Sequence, residues 1–384
     1  MDFGISQEQT MLRDMAREYL SDRLPSARVR ELMESETAHD ETFWGEIAEM
    51  GWQAMAIPEE YGGAGFTFQE LGIVLEEMGR FVAPGPFFST VVLGANAILL
   101  GGTEEQKRAY LPRVAAGEHR LAFAPVDSGS GWSLDDVTTK VHIDGDVATI
   151  TGTKEFVVDG HTADTLIVAA RDGDENVDFW IVSADTSGVT SYRVETLDMT
   201  RKQAVVSFET VPLKTADRLG VAGSGKALMT SLYDIAGAAL AYESVGGAQK
   251  CLEMAVEYAK VRKQFGRAIG SFQAVKHKCA DMLVQVESAK SSAYAAGWAA
   301  VNDPEEFSIS APLAKSFCAD AYFFCAAESI QIHGGIGFTW EHDAHLYFKR
   351  AKTNQLMFGD GTAWRAILAD RLGIEKTQLP RKST

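Results

Sequence analysis

The residues with the most chemistry in them lie in one stretch, residues 234–281. Glu243 is a carboxylate set in a small, apolar run, flanked by Ala239, Leu240, Ala241, Val245 and Ala248. Burial disfavours the charged form of a carboxylate, so a glutamate in such surroundings is expected to have a raised pKa and to act as a base toward a weakly acidic proton. Further along, a bend carries Arg262, Phe265 and Gln273, residue types unlike ordinary core filling.

The elements that position these groups follow from periodicity. Apolar residues recur at helical spacing from Ile235 through Leu240, Val245, Ala248, Leu252, Ala255 and Ala259, stop at the glycine-bearing residues 264–270, and resume at Phe272. Two long helices joined by a short bend are expected, with Gly246 and Gly247 marking a local irregularity in the first. Residues 1–120 read as an N-terminal helical domain, with capping-box spacing at Ser6/Gln9 and Thr103/Gln106 and breaks at Pro58, Pro84 and Pro86. Residues 121–217 change character: Val, Thr and Ile alternate with polar residues between Asp-Gly turns at 144–145, 159–160 and 172–173. Short alternating strands must hide their edges, so an antiparallel β-barrel or sandwich is expected there. Residues 218–384 return to helical spacing, broken at Asn302-Asp303-Pro304 and His333-Gly334-Gly335, and read as a four-helix bundle. Residues 375–384 read as a loose tail. The fold class is mainly α with a central β domain.

Composition narrows the function. A chain of 384 residues with 46% hydrophobic content can build several cores, and a net charge of −17 excludes nucleic acid and anionic membrane as natural partners. An anionic substrate would need a local basic patch. Cys251, Cys279, Cys318 and Cys325 share no metal-ligand spacing and read as small buried hydrophobes, so no metal is expected. The start of the chain is an acidic amphipathic helix without signal-peptide character, and residues 87–100 are shorter than the roughly twenty apolar residues a bilayer span needs. A cytoplasmic protein is expected.

Four segments in order carry a resemblance: PEEYGGAGF at 58–66, GTEEQKRAYLPRVAAGE at 102–118, YAKVRKQFGRAIGSFQAVKHKCADM at 258–282 and QIHGGIGFTWEHDAHLYFKRAK at 331–352. With the helical, β, helical domain order, the whole chain resembles the acyl-CoA dehydrogenase family. The resemblance implies FAD as cofactor, an acyl-CoA substrate dehydrogenated to the trans-2-enoyl-CoA, a homo- or heterotetramer, and electron-transfer flavoprotein or a similar acceptor. It makes Arg262, Phe265 and Gln273 a clamp on the flavin dinucleotide of a neighbouring subunit, and Gln331, Gly334 and Gly335 its second contact. A guanidinium suits pyrophosphate oxygens, and paired glycines let backbone approach a phosphate. His333 is assigned no role beyond packing.

The chain also departs from the family pattern. The middle-domain loop reads APVDSGSGWSLDD at 124–136, without the family's Glu-Pro-Gly core, and the residues that pack on the flavin ring become Phe156, an aromatic face, and Val158, a backbone amide. The usual base position falls on Phe358, and the alternative one on Ala236, followed by Gly237. The run ALAYESVGGAQ resembles a bacterial subgroup linked to unusual or steroid side-chain substrates, in which Glu243 would be the base; Asp360 is the second candidate. Two functions follow: an active dehydrogenase using Glu243, or a non-catalytic partner subunit that helps complete the FAD site of a heterotetramer.

Overall fold

A computed structural model of the protein describes residues 5–374; the tail expected at 375–384 lies outside the described residues. The N-terminal region is helical: α1 (Gln7–Arg23), α2 (Ser26–Glu34), α3 (Glu41–Glu49), α4 (Phe68–Arg80), a wide π-wound segment (Phe88–Ala95), α5 (Asn96–Gly101) and α6 (Glu104–Ala115). Both expected capping boxes form, at Ser6/Gln9 and Thr103/Gln106, and a third joins Thr67 to Glu70 at the start of α4. Each pairs two backbone donors that the first helical turn leaves free.

Strands β1 (Leu121–Ala124), β2 (Lys140–Asp144), β3 (Val147–Val158), β4 (Thr165–Arg171), β5 (Val177–Ser183), β6 (Val189–Val194) and β7 (Gln203–Lys214) form one sheet in the order β1-β4-β2-β3-β7-β6, with β5 also on β4. The expected antiparallel pairing holds for most of it, but β1 runs parallel to β4, with Leu121 opposite Thr165. That pairing is non-local, and alternation along one strand carries no information about the direction of its neighbour. Strand β3 slips register against β7 between Lys154 and Val157. The slip re-aims Phe156, which takes a left-handed backbone (φ 55°) and stands 47% exposed.

The C-terminal bundle is built on α7 (Gly225–Val261), α8 (Gln273–Asn302) and α9 (Pro304–His333), with the shorter α10 (Ala344–Leu356) and α11 (Gly361–Arg371) packed on α9. Between α7 and α8 the chain makes a hairpin, β8 (Lys263–Gln264) and β9 (Arg267–Ala268), turning through Phe265 and Gly266 at positive φ. Asp303 caps α9 through its side chain, with Pro304 in the first turn, where its missing N–H costs nothing.

The irregularity expected at Gly246 and Gly247 is absent, since α7 runs unbroken through both. The glycines serve packing instead. A Cβ on Gly246 would meet the Glu76 carbonyl oxygen at 1.7 Å, and one on Gly79 the Glu243 carbonyl oxygen at 2.0 Å. Helices α4 and α7 thus cross backbone against backbone. Among the described residues no helix is long and apolar enough to cross a membrane, and no cluster of His, Cys, Asp or Glu could hold a metal.

Candidate active site

A cleft of about 350 Å³ opens between the β domain and α10, lined by Val126, Ser130, Trp132, Phe156, Arg201 and Met357 among others. The exposed Phe156 ring supplies a flat aromatic wall. Val158, two residues on, is buried in β3 opposite Gln203, which itself lines the cleft. The divergent loop at 124–136 is held from beneath by a buried ion pair, Lys154 Nζ to Asp127 Oδ1 at 2.7 Å. Asp127 also accepts from the Thr139 N–H at 2.9 Å and the Thr139 hydroxyl at 2.5 Å. Burial lowers the Lys154 pKa to about 8, with Asp127 opposing the fall.

Glu243 sits behind this cleft, and its environment is not the apolar one that its sequence neighbours imply. Arg201 Nη2 donates to Oε2 at 2.5 Å, Arg350 Nη1 to Oε1 at 3.0 Å, and Asn354 Nδ2 to Oε1 at 3.2 Å. Arg350 also donates from Nε to Asp198 at 2.9 Å and from Nη2 to the Thr200 hydroxyl at 2.7 Å. Burial acting alone would raise the Glu243 pKa, but the two guanidiniums outweigh it and pull the value down to about 2. The raised pKa expected from sequence is therefore corrected: a carboxylate satisfied by two cations is a weak base.

Phe358, where the resemblance puts the usual base, is buried with a left-handed backbone (φ 57°). Its ring meets Tyr233 at 5.1 Å, Trp132 at 5.2 Å edge-on, and Phe88 at 6.5 Å. Ala236 is likewise fully buried. Asp360 is exposed and caps α11, accepting from the Ala363 N–H at 2.9 Å. On the other side of Trp132 a second cleft of about 320 Å³ is lined by Lys226, Tyr233, Asp234, Trp364 and Arg371. The aromatic cluster thus stands as a partition between two clefts. Asp234 is held there by Arg371 at 2.8 Å, and burial raises its pKa to about 6 against that pairing.

The expected clamp residues gather at the far end of the bundle. Arg262, Phe265 and Gln273 are exposed, Phe265 to 91%, and so are Gln331, Gly334 and Gly335. No atom lies within 4 Å of a Cβ placed on Gly334 or Gly335, so a ligand phosphate can come against that backbone. The two groups are joined by ring packing of Tyr258, one turn before Arg262, on His333 at 4.5 Å. His333 is buried, its Nδ1 on the Ser329 carbonyl at 2.7 Å, a packing role as expected. An aromatic-walled cleft and an open, glycine-backed arginine tip fit the ring and the pyrophosphate of a flavin dinucleotide respectively.

Comparison with known proteins agrees with this layout. The model of the acyl-CoA dehydrogenase N-terminal domain matches residues 6–118 and that of the C-terminal domain residues 223–373. The chain belongs to the acyl-CoA dehydrogenase family. It is 34% identical over 359 residues to acyl-CoA dehydrogenase IpdE2 of Mycolicibacterium smegmatis, covering 92% of this chain and 96% of that one. The butyryl-CoA dehydrogenase of Megasphaera elsdenii superposes with a TM-score of 0.89 at 26% identity, covering 97% of this chain and all of that one. A structure described as the Tcur3481-Tcur3483 steroid ACAD gives a TM-score of 0.85 at 33% identity, covering 96% of this chain and 98% of that one. As an acyl-CoA dehydrogenase this chain is an FAD-dependent oxidoreductase, and its reaction class is flavin-dependent dehydrogenation of acyl-CoA thioesters.

Sequence reasoning missed Arg201, Asp198, Asn354 and Trp132. Arg350 lay inside the quoted motif at 331–352, and an arginine so flanked by helical core positions was the available signal for a buried counter-ion to Glu243. Nothing local marked Arg201.

Proposed function

We propose that this acyl-CoA dehydrogenase is one subunit of a mixed tetramer acting on a steroid-derived acyl-CoA, in which it completes the FAD site while the proton-accepting carboxylate comes from the partner chain. The observation that carries this reading is the aromatic plug. Phe358, which the resemblance puts where the base would be, packs on Phe88, Trp132 and Tyr233, while Glu243 is neutralised by Arg201 and Arg350. The likeness to a two-component steroid enzyme supports both the mixed assembly and the substrate class. Electron-transfer flavoprotein or a similar acceptor takes the electrons.

In this reading Arg262, Phe265 and Gln273, with Gln331, Gly334 and Gly335, hold the dinucleotide across the subunit contact, and Phe156 and Val158 face the ring at the cleft wall. FAD supplies the hydride-accepting ring. Trp132 and Phe358 keep water and acyl chain away from the cleft in this chain. The test is co-expression with a second acyl-CoA dehydrogenase chain from the same source. The isolated chain should be inactive with steroid side-chain acyl-CoA, and the assembled pair active. Turnover by this chain alone, abolished by Glu243→Gln, sinks the proposal and restores Glu243 as the base.

A further inference from the structure

Glu243 and Arg201 form a device that proton abstraction does not explain. Arg201 is the residue that Glu243 and the ring cleft have in common. It lines the cleft beside Phe156 and Trp132, and it also lines a small cavity behind, together with Glu243, Phe88 and His39. Every direction but one around its guanidinium is taken. Its carbon Cζ lies 4.7 Å from the Phe88 ring centroid, Nη2 donates to Glu243, and Nη1 donates to the Asn354 amide oxygen at 3.3 Å and the Met357 sulfur at 3.5 Å. The remaining 6% of its surface is exposed.

A lone guanidinium on a flexible side chain would swing toward water, and a salt-bridged one at a surface would gain little. Here the side chain is clamped on three sides by groups that are themselves fixed. Glu243 is on α7, its other oxygen held by Arg350 of α10, and Arg350 is anchored in turn on Asp198 and Thr200. Asn354 binds both Glu243 and the Ser244 hydroxyl at 3.2 Å. The charges in this set alternate, Asp198, Arg350, Glu243, Arg201; both ends line the cleft, and with Lys349 and Lys352 on the same wall the cleft carries more cations than anions, Arg201 being the buried one. A fixed cation in a water-poor site stabilises negative charge that develops in front of it, without reorganising at the moment of reaction.

We propose that Arg201 is the cation that meets a flavin ring bound in this cleft, and that Glu243 is its positioning residue rather than a proton acceptor. The inference rests on the reading above that the ring occupies this cleft. A neutral oxidised ring that takes up a hydride at N5 acquires one negative charge, spread over its pyrimidine half. Arg201 favours that state, so it makes the ring easier to reduce. In the test below the electrons come from the added chemical reductant.

The experiment is a reductive titration of the assembled, FAD-loaded protein against a reference dye. Arg201→Met should shift the two-electron equilibrium at least tenfold toward oxidised flavin, about 30 mV, and Arg201→Lys should recover part of the shift. If Arg201→Met fails to assemble, Arg201→Gln, which still hydrogen-bonds to Glu243, is read the same way. Glu243→Gln should weaken FAD binding several-fold in resting protein with no acyl thioester present, because an amide cannot face two guanidiniums as a carboxylate does. A mere proton acceptor could be removed without touching the resting flavin. An unchanged equilibrium in Arg201→Met, or unchanged FAD affinity in Glu243→Gln, overturns the inference. Phe156→Ala separates the two levels: if it leaves the flavin spectrum and affinity untouched, the ring does not occupy this cleft and the underlying reading has failed.

Discussion

Replacing Arg350 by methionine tests the central network directly. Arg350 is 1% exposed and paired with Asp198 at 2.9 Å and Glu243 at 3.0 Å, both carboxylates themselves buried. Truncating one partner of a buried ion pair leaves a charge without compensation, which typically costs about 3–5 kcal/mol. The pKa of Glu243 gives an independent figure. Held at about 2 against its ordinary 4.5, it contributes stability that is present above pH 4.5 and lost as pH falls toward 2. At about 1.4 kcal/mol per unit that contribution is on the order of 3 kcal/mol at pH 7, shared between Arg201 and Arg350. Arg350→Met removes part of that share and also leaves Asp198 without its partner, so about 3 kcal/mol, the lower end of the range, is expected. At roughly 2 °C per kcal/mol for a chain of this size, the thermal midpoint should fall by about 6 °C. The control is Arg365→Met, which breaks an ion pair to Asp320 of similar length, 3.0 Å, whose side chains are 55% and 39% exposed. That pair should contribute about 0–1 kcal/mol. Thermal denaturation of the two variants in one buffer decides it: equal midpoints would refute the view that burial, not bond length, sets the worth of these pairs.

Gly246→Ala should prevent soluble assembly, because its Cβ would lie 1.7 Å from a backbone oxygen of α4. By contrast Gly335→Ala, with nothing near its Cβ, should keep the thermal midpoint and lose FAD on gel filtration. Asp159 is fully buried, accepts from the Ser89 hydroxyl at 2.8 Å, and is raised by burial to about 7. An acid raised in the fold binds its proton more tightly there than when unfolded, so its contribution declines as pH rises from about 4 to 7. Asp159→Asn should therefore stabilise the protein by roughly 2–4 kcal/mol at pH 8 and hardly at all at pH 4, measured as the midpoint difference at the two pH values. Asp127→Ala strands the buried Lys154 and frees the loop at 124–136; a loss of about 3 kcal/mol with reduced FAD content is expected.

What could be read from sequence was what local chemistry decides. Helix starts at Ser6 and Thr103 were legible because each cap is made within three residues of itself. The bends at 264–270 and 333–335 were legible because glycines there take backbone angles that other residues resist. Glu243 was visible, but its surroundings were not: the arginines that neutralise it stand 42 and 107 residues away. The same limit explains β1, whose parallel partner is set by the path of the sheet, and Gly246, whose closest neighbour belongs to α4. Phe358 was identified as an anomaly from its position alone, whereas the ring packing that makes it a partition needed Trp132 from a loop in another domain.

The glycine crossing at Gly79 and Gly246 has a consequence for how the protein can move. At Glu243 the backbone is wedged against α4, and the side chain is tied through Arg350 to α10 and through Arg201 to the turn before β7. One residue thus rivets the N-terminal helices, the sheet and the bundle together behind the cleft. A hinge between these regions would have to break a buried charge pair and a backbone contact at once. Residues 128–133, which include Gly129, Gly131 and Trp132, stand outside this rivet, tied instead through the Ser128 hydroxyl to Glu155 at 2.8 Å and the Tyr233 hydroxyl to the Trp132 carbonyl at 3.4 Å.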